Sequence, residues 1–212
     1  SAAAGAGWRS GRAPCKISET IPYMIITLSG LPGSGKSTVA KMLAQKLGYQ
    51  FYSMGDLRGK AAQERGLTID EFNALPENTD VVVDTYAKKL GETEDRLVID
   101  GRIAWYFIPK SFKVFIDVDP GVGAARIFAA IRDANRGDEP PYRDVAHVQE
   151  ILAARVASDV ERQKRYYSID FTDRSVYDLV IDTSGLTPEE TLAAILAALP
   201  EQGVQSPLGG DR

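Results

Sequence analysis

The chain contains one cysteine, one histidine and no long apolar run, and each of these scarcities excludes a class of function. A lone Cys15 can form neither an intrachain disulfide nor a zinc site built on several thiolates, which indicates a reducing compartment, and we predict the cytoplasm. No apolar stretch approaches the roughly 18 residues that a membrane-spanning helix needs. The net charge of −4 offers no basic excess for nucleic acid or an anionic membrane surface. We therefore predict small-molecule partners, and neither a nucleic-acid nor a membrane partner.

The 212 residues divide into a central domain and two unlike ends. The domain is expected at residues 24–199, a length that suits one hydrophobic core, and we expect it to act as a monomer. Residues 1–23 begin with a stretch rich in Ala, Gly and Arg and have no signal-type apolar core, so we interpret them as an added or disordered extension. Residues 200–212 are rich in Gly, Gln and Pro, lack periodicity and are expected to form a disordered tail.

Apolar runs alternate with helical patterns between these ends, which is typical of a parallel sheet covered on both faces. We predict a doubly wound α/β fold that binds its ligands beyond the carboxyl ends of the strands. Capping boxes at Thr68–Glu71 and Thr187–Glu190 predict two helix starts, the second leading a helix through Ala198. The five predicted strands are Met24–Ser29, Tyr49–Ser53, Arg96–Asp100, Lys113–Val118 and Leu179–Asp182.

The segment Gly30–Ser37 matches the pattern G-x-x-x-x-G-K-[ST] and follows the apolar run Ile25–Leu28. Between a strand and a helix expected over Ser37–Leu47, this pattern predicts the phosphate-binding loop of a P-loop NTPase. Its glycines let backbone N–H groups surround a triphosphate, Lys36 reaches the β- and γ-phosphates, and the hydroxyl of Ser37 can ligate Mg²⁺. We therefore predict ATP as co-substrate and Mg²⁺ as cofactor. The alternative is a glycine-rich turn with a chance Lys-Ser pair.

The second and third predicted strands also end in polar segments, at the same rim of the sheet. Arg58, shortly after the second strand, is a candidate for holding an acceptor's α-phosphate, because a guanidinium binds phosphate oxygens in pairs. Asp100, at the end of the third strand, is a candidate for holding a Mg²⁺-bound water, and Gly101 lets the chain pass close to a ligand. The alternatives are a solvent-facing arginine and a helix-capping aspartate. The candidate acceptor-binding residues are Ser53, Gly55, Asp56, Arg58, Asp100, Gly101 and Arg102.

Arginine is concentrated in the stretch 126–174, which holds eight of the fifteen arginines but one of the ten lysines. A preference for the forked guanidinium over a point charge is typical of phosphate recognition. The non-periodic, proline-containing stretch at about 132–145 predicts a lid. In the helix expected over Val145–Tyr167, Arg155 and Arg162 flank an apolar stripe and are expected to look into the cleft. The alternative is a solvated helix laced by ion pairs such as that of Asp159 with Arg162. The candidate lid arginines are Arg126, Arg132, Arg136 and Arg155.

Several segments together resemble the archaeal-type cytidylate kinases. They are the phosphate loop, Tyr52–Asp56, Glu64–Phe72, Asp100–Arg102, Arg165-Tyr166, and Tyr177–Thr183. The resemblance runs from Met24 to about Leu199 and implies the nucleoside monophosphate kinase fold, with an acceptor-binding helical segment and an arginine-bearing lid. It also implies transfer of the γ-phosphoryl group of ATP to CMP or dCMP.

The same resemblance implies roles for individual residues. It makes Arg102 an acceptor-site residue, and Arg162 or Arg165 a stabiliser of charge during transfer. The family pattern carries an arginine where Gly59 stands here, which leaves Arg58 as a shifted substitute. The implied ATP-phosphate site comprises Gly30, Leu31, Pro32, Gly33, Ser34, Gly35, Lys36, Ser37 and Thr38.

Phosphoryl transfer to a phosphate oxygen needs positioning and charge neutralisation rather than a general base. We therefore expect Lys36 and Arg162 to be catalytic, and the only histidine, His147, to be a surface residue. Two other functions stay open. One is a kinase of the same fold acting on AMP, UMP or a hydroxyl acceptor such as shikimate, for which Asp56 would be the base. The other is a regulatory protein that binds ATP as a switch and transfers no phosphate.

Overall fold

A computed structural model describes residues 24–75, 77–134 and 142–200, leaving aside the side chains of Asp70 and of residues 132–134. The expected extension at 1–23, nearly all of the expected tail at 200–212 and the centre of the expected lid lie outside the described residues. Within these ranges no helix has both the length and the apolar character needed to cross a membrane.

The described strands form one parallel sheet in the order β2-β3-β1-β4-β5. This confirms the predicted doubly wound, five-stranded α/β fold, and each predicted strand is present to within one residue at either end. The strands are β1 Ile25–Gly30, β2 Gln50–Ser53, β3 Leu97–Asp100, β4 Phe112–Asp117 and β5 Leu179–Asp182.

Helices connect the strands and cover both faces of the sheet. The second capping box is formed in full: Glu190 N–H donates to Thr187 Oγ1 at 3.2 Å, and Thr187 N–H donates to Glu190 Oε2 at 2.8 Å. The same pair of bonds joins Thr68 and Glu71, which confirms the first capping box. The helices are α1 Lys36–Leu47, α2 Met54–Glu64, α3 Ile69–Asn73, α4 Val81–Thr93, α5 Ala104–Phe107, α6 Pro120–Ala134, α7 Val145–Tyr167 and α8 Pro188–Ala198.

The hydrophobic core lies on both sides of the sheet because alternate strand residues point to opposite faces. On one face Ile26 and Leu28 of β1 pack with Leu43 of α1 and Ile195 of α8. On the other face Ile25, Leu97 and Ile99 pack with residues of α4 and α5. Strands buried on both faces are typical of parallel sheets in α/β proteins.

The carboxyl ends of β1, β3 and β2 lie side by side. The strand register places Leu28 opposite Asp100, and Asp100 opposite Ser53. The loop after each of these strands therefore leaves the sheet at the same rim. Ligands of open parallel sheets bind at this kind of rim, and the candidate site is built there.

Candidate functional site

The loop between β1 and α1 has a backbone that only glycine adopts easily. Gly33 and Gly35 have φ angles of 77° and 80°, in the left-handed region. A Cβ on Gly33 would lie 2.3 Å from the carbonyl oxygen of Gly123 in α6, so the loop packs directly on that helix's backbone. Gly35 caps α1 without a side chain, which leaves the first N–H groups of α1 available to an anion. The other predicted ATP-binding residues, at the end of β1, in this loop and in the first turn of α1, are Gly30, Leu31, Pro32, Ser34, Lys36, Ser37 and Thr38.

Two residues at the start of α1 contact the carboxylate at the end of β3. Lys36 Nζ forms an ion pair with Asp100 Oδ1, and Ser37 Oγ donates a hydrogen bond to Asp100 Oδ2. Burial, together with the positive charges of Arg102 and Arg155, lowers the pKa of Lys36 to about 7, whereas a neighbouring carboxylate favours the charged form. A bound polyanion at this loop would favour the charged ammonium further.

Ser37 and Asp100 fit a Mg²⁺ ion. Hard cations prefer oxygen ligands, and the hydroxyl and carboxylate oxygens of these residues are already in contact. In the described part of the chain, no group of three or more His, Cys, Asp or Glu side chains could hold a metal. An ion at Ser37 and Asp100 would therefore take its other ligands from phosphate oxygens and water, as Mg²⁺ does in phosphoryl-transfer sites.

A cavity of about 320 Å³ opens beside Asp100. Its walls come from the ends of β2 and β3 and from α2, α4, α5 and α7, while Lys36 and Ser37 contribute from the phosphate loop. A ligand in the cavity would therefore lie next to a triphosphate bound in that loop. The predicted site residues that line the cavity are Lys36, Ser37, Ser53, Gly55, Asp56, Arg58, Asp100, Gly101, Arg102, Arg155 and Arg162.

Arg58 is held in the cavity wall by three oxygen acceptors. Nε donates to Asn73 Oδ1 at 2.7 Å, Nη2 donates to Thr79 Oγ1 at 2.8 Å, and Nη1 pairs with Asp80. From α7, Arg162 Nε donates to the other oxygen of Asp80 at 2.9 Å. One aspartate thus fixes two guanidiniums. Because the Arg58 side chain is only 14% exposed, the alternative of a solvent-facing arginine is wrong.

Asp159 makes a second bridge between arginines. Its Oδ1 accepts a hydrogen bond from Arg162 Nη2 at 2.6 Å, and its Oδ2 pairs with Arg102 Nη1. Burial, together with the positive charges of Arg155, Arg162 and Arg58, lowers the pKa of Arg102 to about 10. The pair between Asp159 and Arg162 is buried in the cavity wall, which disfavours the alternative of a solvated, ion-paired helix. Four arginines therefore converge on this cavity.

Another part of the cavity wall is apolar. Val83 and Ala87 of α4 line it together with Ala104 and Phe107 of α5. Asp84 lies on the same face of α4 and is buried among these side chains. A flat group with a polar edge, such as a nucleobase, suits a wall of this composition.

The sequence is similar to cytidylate kinases of several archaea. It is 39% identical to the cytidylate kinase of Methanocella arvoryzae over 183 residues, which cover 84% of this chain and 98% of that relative. It is 34% identical to the cytidylate kinase of Archaeoglobus fulgidus over 180 residues, covering 83% of this chain and 94% of the relative. The chain belongs to the cytidylate kinase family. The family described as the AAA domain also matches, over residues 29–139.

Solved structures with low sequence identity share the fold of this cytidylate kinase family member. An uncharacterized protein from Eubacterium ventriosum superposes with a TM-score of 0.60 at 19% identity, covering 82% of this chain and 96% of that one. The shikimate kinase of Acinetobacter baumannii, solved in complex with shikimate, has a TM-score of 0.53 at 21% identity, covering 82% and 91% of the two chains. At these identities the likeness concerns the fold alone.

Two arginines expected at the site do not line the cavity in this cytidylate kinase family member. Arg165 has a side chain that is 65% exposed, pairs with Glu161 at 2.6 Å and does not line the cavity. An acidic residue four positions earlier on the same helix face accounts for this placement. Arg126 donates to the carbonyl oxygen of Thr183 at 2.7 Å and so ties α6 to the loop between β5 and α8. Thr183 also donates to the carbonyl oxygen of Ser34 in the phosphate loop, and the lid role of Arg126 stays a prediction.

The remaining lid arginines are only partly described. Arg132 and Arg136 fall outside the described side chains, so their roles stay predictions. Arg155 lines the cavity from an exposed position on α7. His147, expected at the surface, is half-buried, and its Nδ1 accepts a hydrogen bond from the backbone N–H of Arg143 at 3.3 Å.

Sequence reasoning considered Asp159 only as a surface partner of Arg162, and it missed four other acidic or amide side chains of the cavity wall, which are Asn73, Asp80, Asp84 and Gln163. The signal that would have found most of them is helical spacing. Asp80 and Asp84 are four residues apart at the start of α4, and Asp159, Gln163 and Tyr167 recur at intervals of four along α7. Each set lies on one helix face, beside apolar residues rather than on a uniformly charged surface.

Asp84 and Tyr167 join the two helices. Tyr167 Oη donates a hydrogen bond to Asp84 Oδ2 and accepts one from Asn78 Nδ2 at 3.1 Å. Burial raises the pKa of Asp84 to about 7; the nearby Asp80 acts in the same direction, and the bond from Tyr167 opposes it. Burial and the contact with Asp84 raise the pKa of the Tyr167 hydroxyl.

Proposed function

We propose that this protein transfers the γ-phosphoryl group of ATP to the phosphate of CMP or dCMP. The observation that carries the proposal is that Lys36 of the phosphate loop lines the same cavity as Arg58, Arg102 and Arg162. A donor triphosphate and an acceptor phosphate would therefore meet without leaving the site. The names of the similar archaeal proteins supply the acceptor, since they are cytidylate kinases.

The donor half of the site is the loop between β1 and α1. Backbone N–H groups of this loop and of the first turn of α1 bind the β- and γ-phosphates, because helix N-termini favour anions. When ATP binds, the ammonium of Lys36 leaves Asp100 and contacts the phosphate that is to be transferred. Ser37, and Asp100 through a water, would hold Mg²⁺, which would supply positive charge to the phosphate oxygens.

The acceptor half is the arginine cluster. A guanidinium carries five N–H donors, so Arg58, Arg102 and Arg162 can each keep a carboxylate partner and still donate to phosphate oxygens. Asp80 and Asp159 hold the three guanidiniums in place before the acceptor arrives. This preorganisation is what a transfer with little covalent chemistry requires.

No general base is needed for this reaction, because an acceptor phosphate oxygen is already an anionic nucleophile. Asp56 would be the base for a hydroxyl acceptor. It lines the cavity from the first turn of α2, where its backbone N–H donates to Ser53 Oγ at 3.1 Å. Shikimate therefore belongs among the acceptors to be tested.

The test is an ADP-release assay with ATP and Mg²⁺ and one acceptor in each reaction: CMP, dCMP, UMP, AMP or shikimate. We expect the highest kcat/KM with CMP or dCMP. Turnover with only one of the other acceptors would show that the protein is a kinase for that acceptor and not for CMP or dCMP. Tight ATP binding without turnover of any acceptor would contradict the kinase activity and favour a protein that binds ATP as a switch.

We infer in addition that a monomer in the cytoplasm performs this reaction, with magnesium. The cavity between the phosphate loop and the arginine cluster is enclosed within one domain, which suits a monomer as the active unit. The single cysteine suits a reducing compartment. Light scattering is expected to give a mass near 23.1 kDa, and a mass of twice that value would contradict the monomer.

A further inference from the structure

Asp84 is a buried carboxyl group of the cavity wall that the phosphate chemistry does not use. It is 8% exposed and lies on α4, one helical turn after Asp80. Its Oδ2 accepts the hydrogen bond from Tyr167. In the described part of the chain no donor is bonded to its Oδ1. This oxygen remains available to a ligand of the cavity.

A second buried polar group of the same wall is Gln163. It is 3% exposed, and its Oε1 has no hydrogen-bond partner among the described residues. A buried polar atom without a partner costs about 1–3 kcal/mol, so its presence in a cavity wall indicates a ligand or a bound water. Gln163 lies one helical turn before Tyr167 on α7, and Tyr167 contacts Asp84. Asp84 of α4 and Gln163 of α7 therefore line the same cavity near Tyr167.

The position of these groups relative to the arginines fits a nucleotide. Two contacts join α4 to α7: one between Asp80 and Arg162, the other between Asp84 and Tyr167. The helical rise separates them by about 5–8 Å along the two helices. An acceptor whose phosphate lies at Arg162 would therefore place the group beyond its phosphate near Asp84. The apolar side chains at that end would cover the flat faces of a base.

We propose that Asp84 and Gln163 form the subsite that reads the hydrogen-bonding edge of the acceptor's base, with Asp84 accepting a hydrogen bond from the exocyclic amine of cytosine. This rests on the proposed function, since a base is present only when the acceptor is a nucleotide. Cytosine carries an amine donor where uracil carries a carbonyl acceptor. An ionised carboxylate can only accept, so it binds the first and repels the second.

The experiment compares kcat/KM for CMP and for UMP in wild type, in Asp84→Asn and in Glu92→Gln. The side-chain amide that Asp84→Asn introduces supplies an N–H donor, which suits the carbonyl of uracil. We expect Asp84→Asn to lower the CMP to UMP ratio about tenfold or more, mainly through KM for CMP. Glu92→Gln removes the same charge from an exposed position of α4 and is expected to keep the wild-type ratio.

The outcomes separate the two proposals. Wild type without turnover of CMP contradicts the proposed function. Wild type that phosphorylates CMP, with an Asp84→Asn variant that keeps the wild-type ratio, overturns the subsite alone. Gln163→Leu, which keeps the volume and removes the amide, is expected to raise KM for CMP, and an unchanged KM would remove Gln163 from the subsite.

A measurement on wild type keeps the subsite testable if Asp84→Asn fails to fold. The carboxyl group of Asp84 faces Arg58, Arg162, Asp80 and Tyr167, and its pKa is about 7. Since CMP and UMP carry the same phosphate, the titration of that phosphate cancels in their ratio. The ratio is expected to rise with pH between about pH 5.5 and 8.5, as Asp84 loses the proton that it can donate to uracil. A ratio that stays flat over this range would overturn the assignment.

Discussion

The ammonium of Lys36 and the carboxylate of Asp100 form an ion pair that links the start of α1 to the end of β3. The pair forms where two neighbouring strands deliver their loops to one rim, and it stands beside the cavity that the acceptor would occupy. Lys36 thus lies between the loop expected to bind the donor and the cavity expected to bind the acceptor. This relationship makes Lys36 the first residue to test.

Lys36→Ala is expected to lower kcat/KM for CMP by about 10²- to 10³-fold, the usual cost of removing one preorganised charge from a transferring group. The measurement is the steady-state ADP-release assay at saturating ATP. Lys46→Ala, on the last turn of the same helix and exposed, is the matched control and should keep wild-type turnover. Wild-type turnover in Lys36→Ala would contradict the role.

Arg162 and Arg165 differ in surroundings although both were expected near the transferred phosphate. Arg162→Lys keeps the charge but cannot bridge Asp80 and Asp159, so kcat is expected to fall about 10²-fold. Arg165→Lys changes an exposed side chain paired with Glu161, and we expect kcat within about twofold of wild type. Both variants are measured in parallel. An equal loss of kcat in the two would contradict the conclusion that Arg162, and not Arg165, acts in the cavity.

The sheet and the phosphate loop could be predicted from sequence because they depend on local patterns. Three of the four residues in the run Ile25–Leu28 are apolar, and the glycines that follow tolerate a backbone that other residues avoid. The helix Val145–Tyr167 was predicted from the apolar stripe along it, and in the structure Asp144 caps it and Ser168 ends it in the left-handed region. Such signals lie within a few residues of what they determine.

The acceptor wall could be predicted only in part, because its contacts join distant parts of the chain. Asp80 and Arg162 are 82 residues apart in sequence, and no local pattern announces that α4 and α7 meet there. Arg58 was placed correctly near the rim, but its partners Asn73 and Thr79 come from a segment that carries no motif. The contacts of Arg126 could not be predicted for a related reason, since its acceptors are carbonyl groups of a loop more than 50 residues away.

Asp159→Asn is expected to destabilise the fold by about 3 kcal/mol, because it leaves the buried Arg102 and Arg162 without the carboxylate that they share. Urea unfolding measures the change. Glu161→Gln, two residues away on α7 with a side chain that is 72% exposed, is the control and should shift stability by no more than about 0.5 kcal/mol. A similar loss of stability in both variants would show that the bridge of Asp159 to Arg102 and Arg162 does not stabilise the fold.

Gly33→Ala tests the packing of the phosphate loop on α6. Gly33 and Gly48 both have positive φ, 77° and 67°, so alanine strains the backbone at either position by about 1 kcal/mol. Only at Gly33 would the new Cβ also meet backbone, 2.3 Å from Gly123 O, whereas at Gly48 nothing lies within 4 Å. Titration calorimetry is expected to show ATP affinity lowered about tenfold or more in Gly33→Ala and unchanged in Gly48→Ala. Equal ATP affinity in the two variants would contradict the close contact with α6.

Asp84→Asn is expected to become more stable relative to wild type as the pH rises. Because the pKa of Asp84 is raised from 3.8 to about 7 by folding, the folded protein binds more protons than the unfolded chain between these values. The stability that this group contributes is present below about pH 4 and is lost as the pH rises through 7, when the buried carboxyl group must ionise. Asparagine does not titrate, so the variant lacks this pH-dependent loss. In thermal unfolding, the Tm of the variant minus that of wild type is expected to rise by on the order of 5 °C between pH 5 and 8. Glu92→Gln, exposed on the same helix, should show no such trend. If the Tm of Asp84→Asn and that of wild type changed in parallel with pH, Asp84 would be ionised throughout the range.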